Sequence, residues 1–505
     1  MNSKSRFPSI STKAFYYALR LLILILPCPN LVSAFVSETC GFWIDAYHPG
    51  FKGASEVTKL VADVRAANAN AVFVQVRKRG DAYYESKYEP KAGVLAADYD
   101  PLADIIAKAH DTNGGPRIEV HAWLTVYPVW NGIAGLPQQT NHPYRLHPDW
   151  LCKNFQGGSY DGRMYSFDPG HPEAQQYLFN VAMDVVSKYD VDGLQLDYIH
   201  YSGKDWGYNA KAVKRFNDRF NRKGQPSPDD AAWMQFRRDQ VSSLLRKIYL
   251  SVNDAKPKVK VSAATITWPA PPNNEDEWFA NSSAYNRVFQ DWRSWMSEGI
   301  LDINMPMVYS PHDQPGYHRL YSTWVEFAKA HRYNRHVVIS PAAYMNSVSG
   351  TVAQIREALA PGKTGNAADG VCLFSYGSYS SEPGAFEDFA SDLTHRSRRG
   401  GDVPVFPTPV APPEMPWKTQ PAMGHLKGFV YAEGTTNVLD GANLTMKGPM
   451  NRAISSDATG FYGSVDLLPG DYSVTATFTG YNSVTNHYTV KKGSVTTLNV
   501  QLSKQ

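Results

Sequence analysis

The sequence predicts an α/β fold, a (β/α)8 TIM barrel, followed by a small all-β sandwich domain. Three observations predict it. Eight short apolar segments between about residues 38 and 395 alternate with helical patterns. A proline-rich stretch then breaks the rhythm. Beyond it come short, evenly spaced strand-like segments separated by Gly, Asn and Asp turns. Strands alternating with helices imply a parallel sheet, and eight such units in roughly 350 residues fit a closed barrel with long loops. An open doubly wound sheet is the competing architecture. No Gly-x-Gly-x-x-Gly motif follows the first strand, which weighs against it.

The chain opens with a basic start at Lys4, Arg6, Lys13 and Arg20, an apolar run from Leu21 to Leu26, and a small-residue cleavage site at Val32-Ser33-Ala34. Residues 1–34 therefore read as a signal peptide, with an uncleaved anchor as the alternative. The run is too short for a stable membrane span, so none is expected after cleavage. The expected location is secreted or periplasmic. Loss of four basic and no acidic residues turns the formal charge of +3 into −1. That balance argues against nucleic acid as a partner. Cys40, Cys152 and Cys372 remain, an odd number with no zinc-like spacing, and they read as small buried hydrophobes.

The barrel, residues 35–396, takes its strands from Gly41–Asp45, Ala71–Arg77, Ile118–Thr125, Gly193–Asp197, Val259–Thr265, Ile303–Val308, Val337–Pro341 and Val371–Tyr376. Several are nearly continuous apolar runs, as strands buried on both faces require. Apolar residues three or four apart predict helices over Ala54–Asn68, Leu102–His110, Pro172–Tyr189, Ala232–Ala255, Arg287–Glu298 and Tyr321–His331. Residues 397–425 form a linker. Six prolines in the thirteen positions from Pro404 to Pro416 make it extended and stiff. The sandwich, residues 426–505, has strands at Gly428–Ala432, Ala442–Lys447, Gly460–Leu467, Asp471–Thr479 and Thr496–Leu502.

Catalytic groups in such barrels cluster at the C-terminal ends of the strands. The fourth strand gives the strongest signal. Gly193-Leu-Gln-Leu-Asp197 is an apolar strand ending in an acid, followed by Tyr198 and His200. A desolvated carboxylate on a rigid strand can act as nucleophile or base toward an anomeric carbon. The competing role for Asp197 is a helix cap or a partner for an arginine. Asp45 ends the first strand, with His48 beyond it. Arg77, Arg79 and Asp81 follow the second, where Asp81 either binds substrate or pairs with an arginine to shape the loop. His121 and Trp123 end the third.

Glycosidases need a second carboxyl group. Strand-end placement favours Asp45 or Asp81 for binding, and Glu275, after the fifth strand, or Asp313, after the sixth, for reaching a leaving oxygen. An N-acetylated sugar supplying its own nucleophile is a further route. Trp43, Trp123, Trp268, Tyr309 and Tyr376 offer faces for pyranose rings, although some must fill the core. His48, His121 and His200 with Asp45 or Asp197 define what a metal site would need. No cofactor and no metal are expected.

Several segments in order resemble the glycosyl-hydrolase-like family ten. They are Val74-Gln-Val-Arg77-Lys-Arg79-Gly80-Asp81-Ala82-Tyr83-Tyr84, Asp100-Pro-Leu102, Glu119-Val-His121-Ala-Trp123, Tyr189-Asp-Val-Asp-Gly193 through Asp197-Tyr198, Phe236-Arg237-Arg238-Asp239 and Leu373-Phe374-Ser375-Tyr376. The resemblance implies a barrel that hydrolyses glycans, peptidoglycan strands among them. This chain departs from the family pattern in having Tyr198 where many members carry a second aspartate, and Val126-Tyr127-Pro128 where many carry Pro-Tyr-Arg. Asp457-Ala-Thr-Gly-Phe461-Tyr462 and Leu468-Pro-Gly-Asp-Tyr472 resemble the carboxypeptidase regulatory-like, transthyretin-type module, which implies an accessory part: a spacer, a polymer binder or a stabilising domain. The leading expectation is a glycoside hydrolase acting on a cell-wall or extracellular glycan, with peptidoglycan strands favoured. A metal-dependent polysaccharide deacetylase or amidohydrolase and an inactive glycan-binding protein are the alternatives.

Overall fold

The computed structural model describes residues 37–133, 135–396 and 403–505, apart from the side chain of Glu275. The expected signal peptide lies outside the described residues. No helix among them is long and apolar enough to cross a membrane.

The strands of the first half are β1 (Thr39–Ile44), β2 (Ala71–Arg77), β3 (Glu119–Thr125), β4 (Pro128–Trp130), β5 (Tyr165–Ser166), β6 (Gly193–Asp197), β7 (Lys260–Thr265), β8 (Ile303–Val308), β9 (His336–Pro341) and β10 (Gly370–Leu373). Eight of them close in the order β1-β10-β9-β8-β7-β6-β3-β2. Every pairing around the ring is parallel. The remaining two, β4 and β5, form an antiparallel hairpin inserted after β3. Trp43, Phe73, Trp123, Met305, Val338 and Cys372 pack together as one buried cluster, as the filled interior of such a barrel requires. The three described cysteines are free and buried.

Local chemistry fixes the helices. Pro101–His110 starts with a proline behind Asp100, whose side chain accepts from Ala103 N at 3.0 Å. Ala231–Ala255 is capped in the same way by Asp230 on Trp233 N at 2.9 Å. One helix is shorter than expected, running from Trp292 to Glu298 rather than from Arg287. Phe289 sits at φ +60, and buried Gln290 bonds Ile266 N and Ala264 O instead of joining a helix. Another is longer, Pro315–Ala330, because Pro315 opens it. Helices Ala210–Phe220, Val348–Leu359 and Phe386–Thr394 complete the barrel wall.

The sandwich has one sheet of β14 (Phe461–Leu467), β11 (Gly424–Ala432), β17 (Val495–Thr497) and β18 (Val500–Leu502). The other is β13 (Arg452–Ser455), β12 (Asn443–Lys447), β15 (Gly470–Thr477) and β16 (Val484–Val490). Strands β13 and β16 escape the sequence pattern because they are short or mostly exposed. The described part of the linker is fastened down rather than free. Phe406 and Met415 are buried, Asn68 and Asn70 donate to the carbonyls of Phe406 and Val410, and Trp417 donates to Asp302 at 2.7 Å. The sandwich packs on the helices that follow β6. Gly463 lies so close to Leu250 that a Cβ there would come within 2.2 Å of its side chain.

Candidate active site

At the C-terminal ends of the strands lies a cleft of about 1440 Å3. Asp197, the last residue of β6, stands in it and is only 6% exposed. Trp123 Nε1 donates to its Oδ2 at 3.1 Å and Tyr198 N to its Oδ1 at 2.8 Å. Burial outweighs these two bonds and pushes the carboxyl up to about 7. Tyr198 holds a left-handed conformation, φ +49, a costly one for a tyrosine. That conformation goes with the bond from its own N–H back to Asp197.

Asp45 lines the same cleft with the opposite electrostatics. Its Oδ1 accepts from Tyr47 N at 2.8 Å and His48 N at 3.0 Å, and His48 Nδ1 stands 2.9 Å from both oxygens. Burial raises this carboxyl, but the bonds from His48 and the backbone more than reverse that and hold it below its ordinary range. His200 stacks against Tyr198 at 5.6 Å. Its Nδ1 lies 2.7 Å from the carbonyl of Tyr201, which can only accept, so Nδ1 carries the hydrogen. Burial lowers this imidazole, leaving a neutral ring with Nε2 as an acceptor.

Arg77, expected to bind substrate, is instead a buried structural residue at 1% exposure. Its Nε bonds Glu89 at 2.8 and 3.0 Å, and Nη1 reaches the carbonyls of Thr125, Val126 and Pro128. A register irregularity between Gln75 and Arg77 breaks the strand's alternation at this point. Val126 N in turn donates to Asp197 O at 2.8 Å. Gln75 joins the neighbouring strand ends, accepting from Ala46 N and donating to Thr125 Oγ1, both at 2.9 Å. Arg77 and Gln75 thus brace the ends of β1, β3 and β6.

The other expectations divide. Arg79 lies in the cleft wall and stacks over Tyr47 at 5.5 Å. Asp81 accepts from Arg79 N at 2.8 Å and shapes the loop, outside the cleft lining. His121 is a second correction. It sits early in β3, pairs in register with Gly193 at the start of β6, stacks on Phe73 at 4.3 Å and bonds Glu119. It therefore belongs to the foot of the barrel. His48, His121 and His200 do not converge, and no group of three or more metal-ligating side chains stands together among the described residues.

Trp123, Trp268 and Tyr309 line the cleft. Tyr376 does not; its hydroxyl donates to Asp63 at 2.6 Å. Asp313 lies outside the lining, 3.5 Å from Ser347. Glu275 opens the helix Glu275–Asn281, and its side chain lies outside the described ones.

A family model described as glycosyl hydrolase-like 10 matches residues 41–348. The chain belongs to that family. A carboxypeptidase regulatory-like domain matches residues 425–503. Among curated proteins, glycosyl hydrolase YngK of Bacillus subtilis (strain 168) is 31% identical over 290 residues, 52% of this chain and 51% of that protein. Glycosyl hydrolase DigH of Escherichia coli (strain K12) is 29% identical over 295 residues, 54% of this chain and 62% of that protein. The chain therefore matches about half to three fifths of the length of these relatives. Among solved structures, the PgaB (BpsB) glycoside hydrolase domain from Bordetella bronchiseptica aligns with a TM-score of 0.49 at 12% identity, over 67% of this chain and 94% of that one.

This member of the glycosyl hydrolase-like 10 family also carries cleft residues that pattern reading missed. Lys78, Arg163 and Arg287 line the cleft together with Arg79. None of the four has a described carboxylate within ion-pairing distance. Asp161 and Tyr317 line it as well. Asp161 and Arg163 belong to the long insertion between β3 and β6. Its length was the one signal available, since long loops at this end of a barrel carry function.

Proposed function

We propose that this protein is a secreted or periplasmic glycoside hydrolase that cleaves O-glycosidic bonds in a cell-wall glycan, peptidoglycan strands above others, with Asp197 as the proton donor. The observation that carries the reading is the buried carboxyl of Asp197 at a strand end, raised to about 7 in the same cleft as a carboxylate, Asp45, held low. Two carboxyl groups driven apart by their surroundings mark an acid and a standing anion. The sequence left Asp197 as nucleophile or base; its environment favours the acid. Its proton passes to the glycosidic oxygen as the bond to the anomeric carbon breaks, Asp45 and the cleft dipoles stabilise the positive charge that develops on the sugar, and water then adds to the anomeric carbon and gives up a proton that restores the acid at Asp197.

The four cleft cations, whose side chains have no described carboxylate within ion-pairing distance, favour a glycan that brings its own negative charge. Peptidoglycan strands stripped of peptides do so, with a lactyl carboxylate on alternate sugars. The signal-peptide pattern supports export. The test is hydrolysis of peptide-free peptidoglycan strands and of neutral oligosaccharides by the wild type and by Asp197→Asn. The expected result is cleavage of the strands by the wild type and a loss of at least roughly a thousandfold in the variant. Equal rates for the two proteins would remove Asp197 from the chemistry. Binding without cleavage by the wild type would make the protein a glycan-binding one.

A further inference from the structure

Two opposite flanks of the cleft carry the same pair of side-chain types. In the ring order of the barrel, β1 and β7 stand diametrically opposite each other. Tyr47 lies three residues beyond the end of β1, and Trp268 three beyond the end of β7. Both line the cleft, and both rings are open to water, at 61% and 43% exposure. Large apolar rings left open inside a cleft are stacking faces. At the usual strand spacing and tilt an eight-stranded barrel is roughly 15 Å across, about the length of three linked pyranoses.

A cation accompanies each ring. On the β1 side it is Lys78, just past β2, the strand next to β1. Its Nζ lies 5.2 Å from the Tyr47 ring centre and 5.4 Å from that of buried Tyr83, so two rings fix the ammonium at the cleft wall. Lys78 is half-buried, and burial lowers its pKa; Asp81 opposes this from beyond ion-pairing distance. An ammonium drawn partly out of water without a counter-ion is costly, and a ligand carboxylate offsets that cost. On the β7 side the cation is Arg287, exposed and in the cleft wall. Asp45, after β1, and Asp197, on β6 beside β7, line the cleft between the two flanks.

We propose that an anionic glycan strand lies across the mouth from the β1–β2 side to the β7 side, stacked on Tyr47 and Trp268, with Lys78 meeting a sugar carboxylate. The inference rests on the glycan reading of the cleft and adds the path of the strand and the group that reads its charge. Chains long enough to reach both rings bind more tightly than shorter ones.

Calorimetric binding to Asp197→Asn provides the test, with peptide-free peptidoglycan oligomers from the disaccharide upward. Adding Tyr47→Ala or Trp268→Ala weakens long chains about 3- to 10-fold each, the scale of one aromatic contact. A disaccharide, too short to reach both rings, responds to at most one of the two. A response of the disaccharide to both, or of long chains to fewer than both, overturns the path. Tyr47→Phe and Trp268→Tyr keep a ring and restore long-chain binding; failure to restore it overturns the stacking faces. Lys78→Met weakens native strands about 3- to 10-fold and leaves carboxyl-reduced strands unchanged. Equal effects on both, or none on either, overturn the carboxylate contact. The hydrolase reading fails separately. Strands bound in this pattern but left uncut by the wild type leave the path standing, whereas cleavage with binding unmoved by the variants removes the path alone.

Discussion

The two ends of the barrel treat charge in opposite ways. At the foot, Asp302 is fully buried and fully engaged. Trp417 and Lys418 of the linker bond it at 2.7 and 3.1 Å, and Val261 N donates to it at 2.8 Å. Arg335 reaches Asp466 of the sandwich at 2.7 Å, and Arg215 and Arg219 share Asp440 at 2.6 Å. At the mouth, by contrast, burial raises the Asp197 carboxyl to about 7, and the side chains of Lys78, Arg79, Arg163 and Arg287 line the cleft with no described carboxylate within ion-pairing distance. Size does not distinguish the ends: the crevice between foot and sandwich, about 1940 Å3, is larger than the cleft. Chemistry does. Charges matched within the chain are costly to unpair, whereas charges left open are available to a ligand.

The sharpest way to break this comparison is Asp197→Asn. Its activity should fall roughly a thousandfold or more, while its stability should rise relative to wild type. A carboxyl raised to about 7 from an ordinary value of 3.8 favours folding fully below its unfolded value, and that contribution is lost as pH rises through 7. Asparagine does not titrate. The variant's relative stability should therefore climb between about pH 4 and 7 and level off above, by at most roughly 4 kcal/mol. Urea unfolding at pH 5 and pH 8 checks this, and no difference between the two pH values would show that Asp197 is not raised. The same proton sets the wild-type pH profile: kcat/KM should fall as pH rises above about 7. A flat profile through pH 8.5 would exclude Asp197 as the acid.

Next in size is Arg77→Met, which strands the buried Glu89. The expected cost is about 3–5 kcal/mol, measured by denaturant unfolding. Pairing it with Glu89→Leu should recover a large part of the loss. A single variant as stable as wild type would show that the strand-end brace does not depend on this pair.

At the foot, Arg335→Met should cost about 1–3 kcal/mol by leaving Asp466 without its partner. Because the cut is far from the chemistry, kcat should stay within about twofold of wild type. A large fall in kcat would mean that the sandwich communicates with the mouth. The smallest effect belongs to Arg287→Gln. KM for carboxylate-bearing strands should rise a few-fold, and the difference should shrink in high salt, since an exposed charge is screened. A difference that salt leaves unchanged would argue against a charge contact.

Much of the barrel was legible because its strands are buried on both faces. Ala71–Arg77, Gly193–Asp197 and Ile303–Val308 match their sequence-predicted bounds to the residue. Asp197 was legible for the same reason: an acid ending an apolar strand has few structural excuses. Depth along the lumen was not. His121 and Trp123 share a face of β3, but the period of two says nothing about which lies at the mouth and which at the foot. Arg77 was misread because the irregularity after Gln75 leaves no mark in the residue pattern.

By itself, the sequence determined the eight parallel strands, the sandwich after the proline-rich stretch, and Asp197 as the residue to watch, since hydrophobic periodicity and strand ends are properties of neighbouring residues. Only the tertiary structure decided that burial raises the Asp197 carboxyl, that hydrogen bonds lower that of Asp45, that Arg77 is a brace, and that the insertion between β3 and β6 supplies a wall of the cleft. Those outcomes depend on what surrounds each side chain in space: the desolvation of one carboxyl, the hydrogen bonds around another, and contacts between segments distant along the chain.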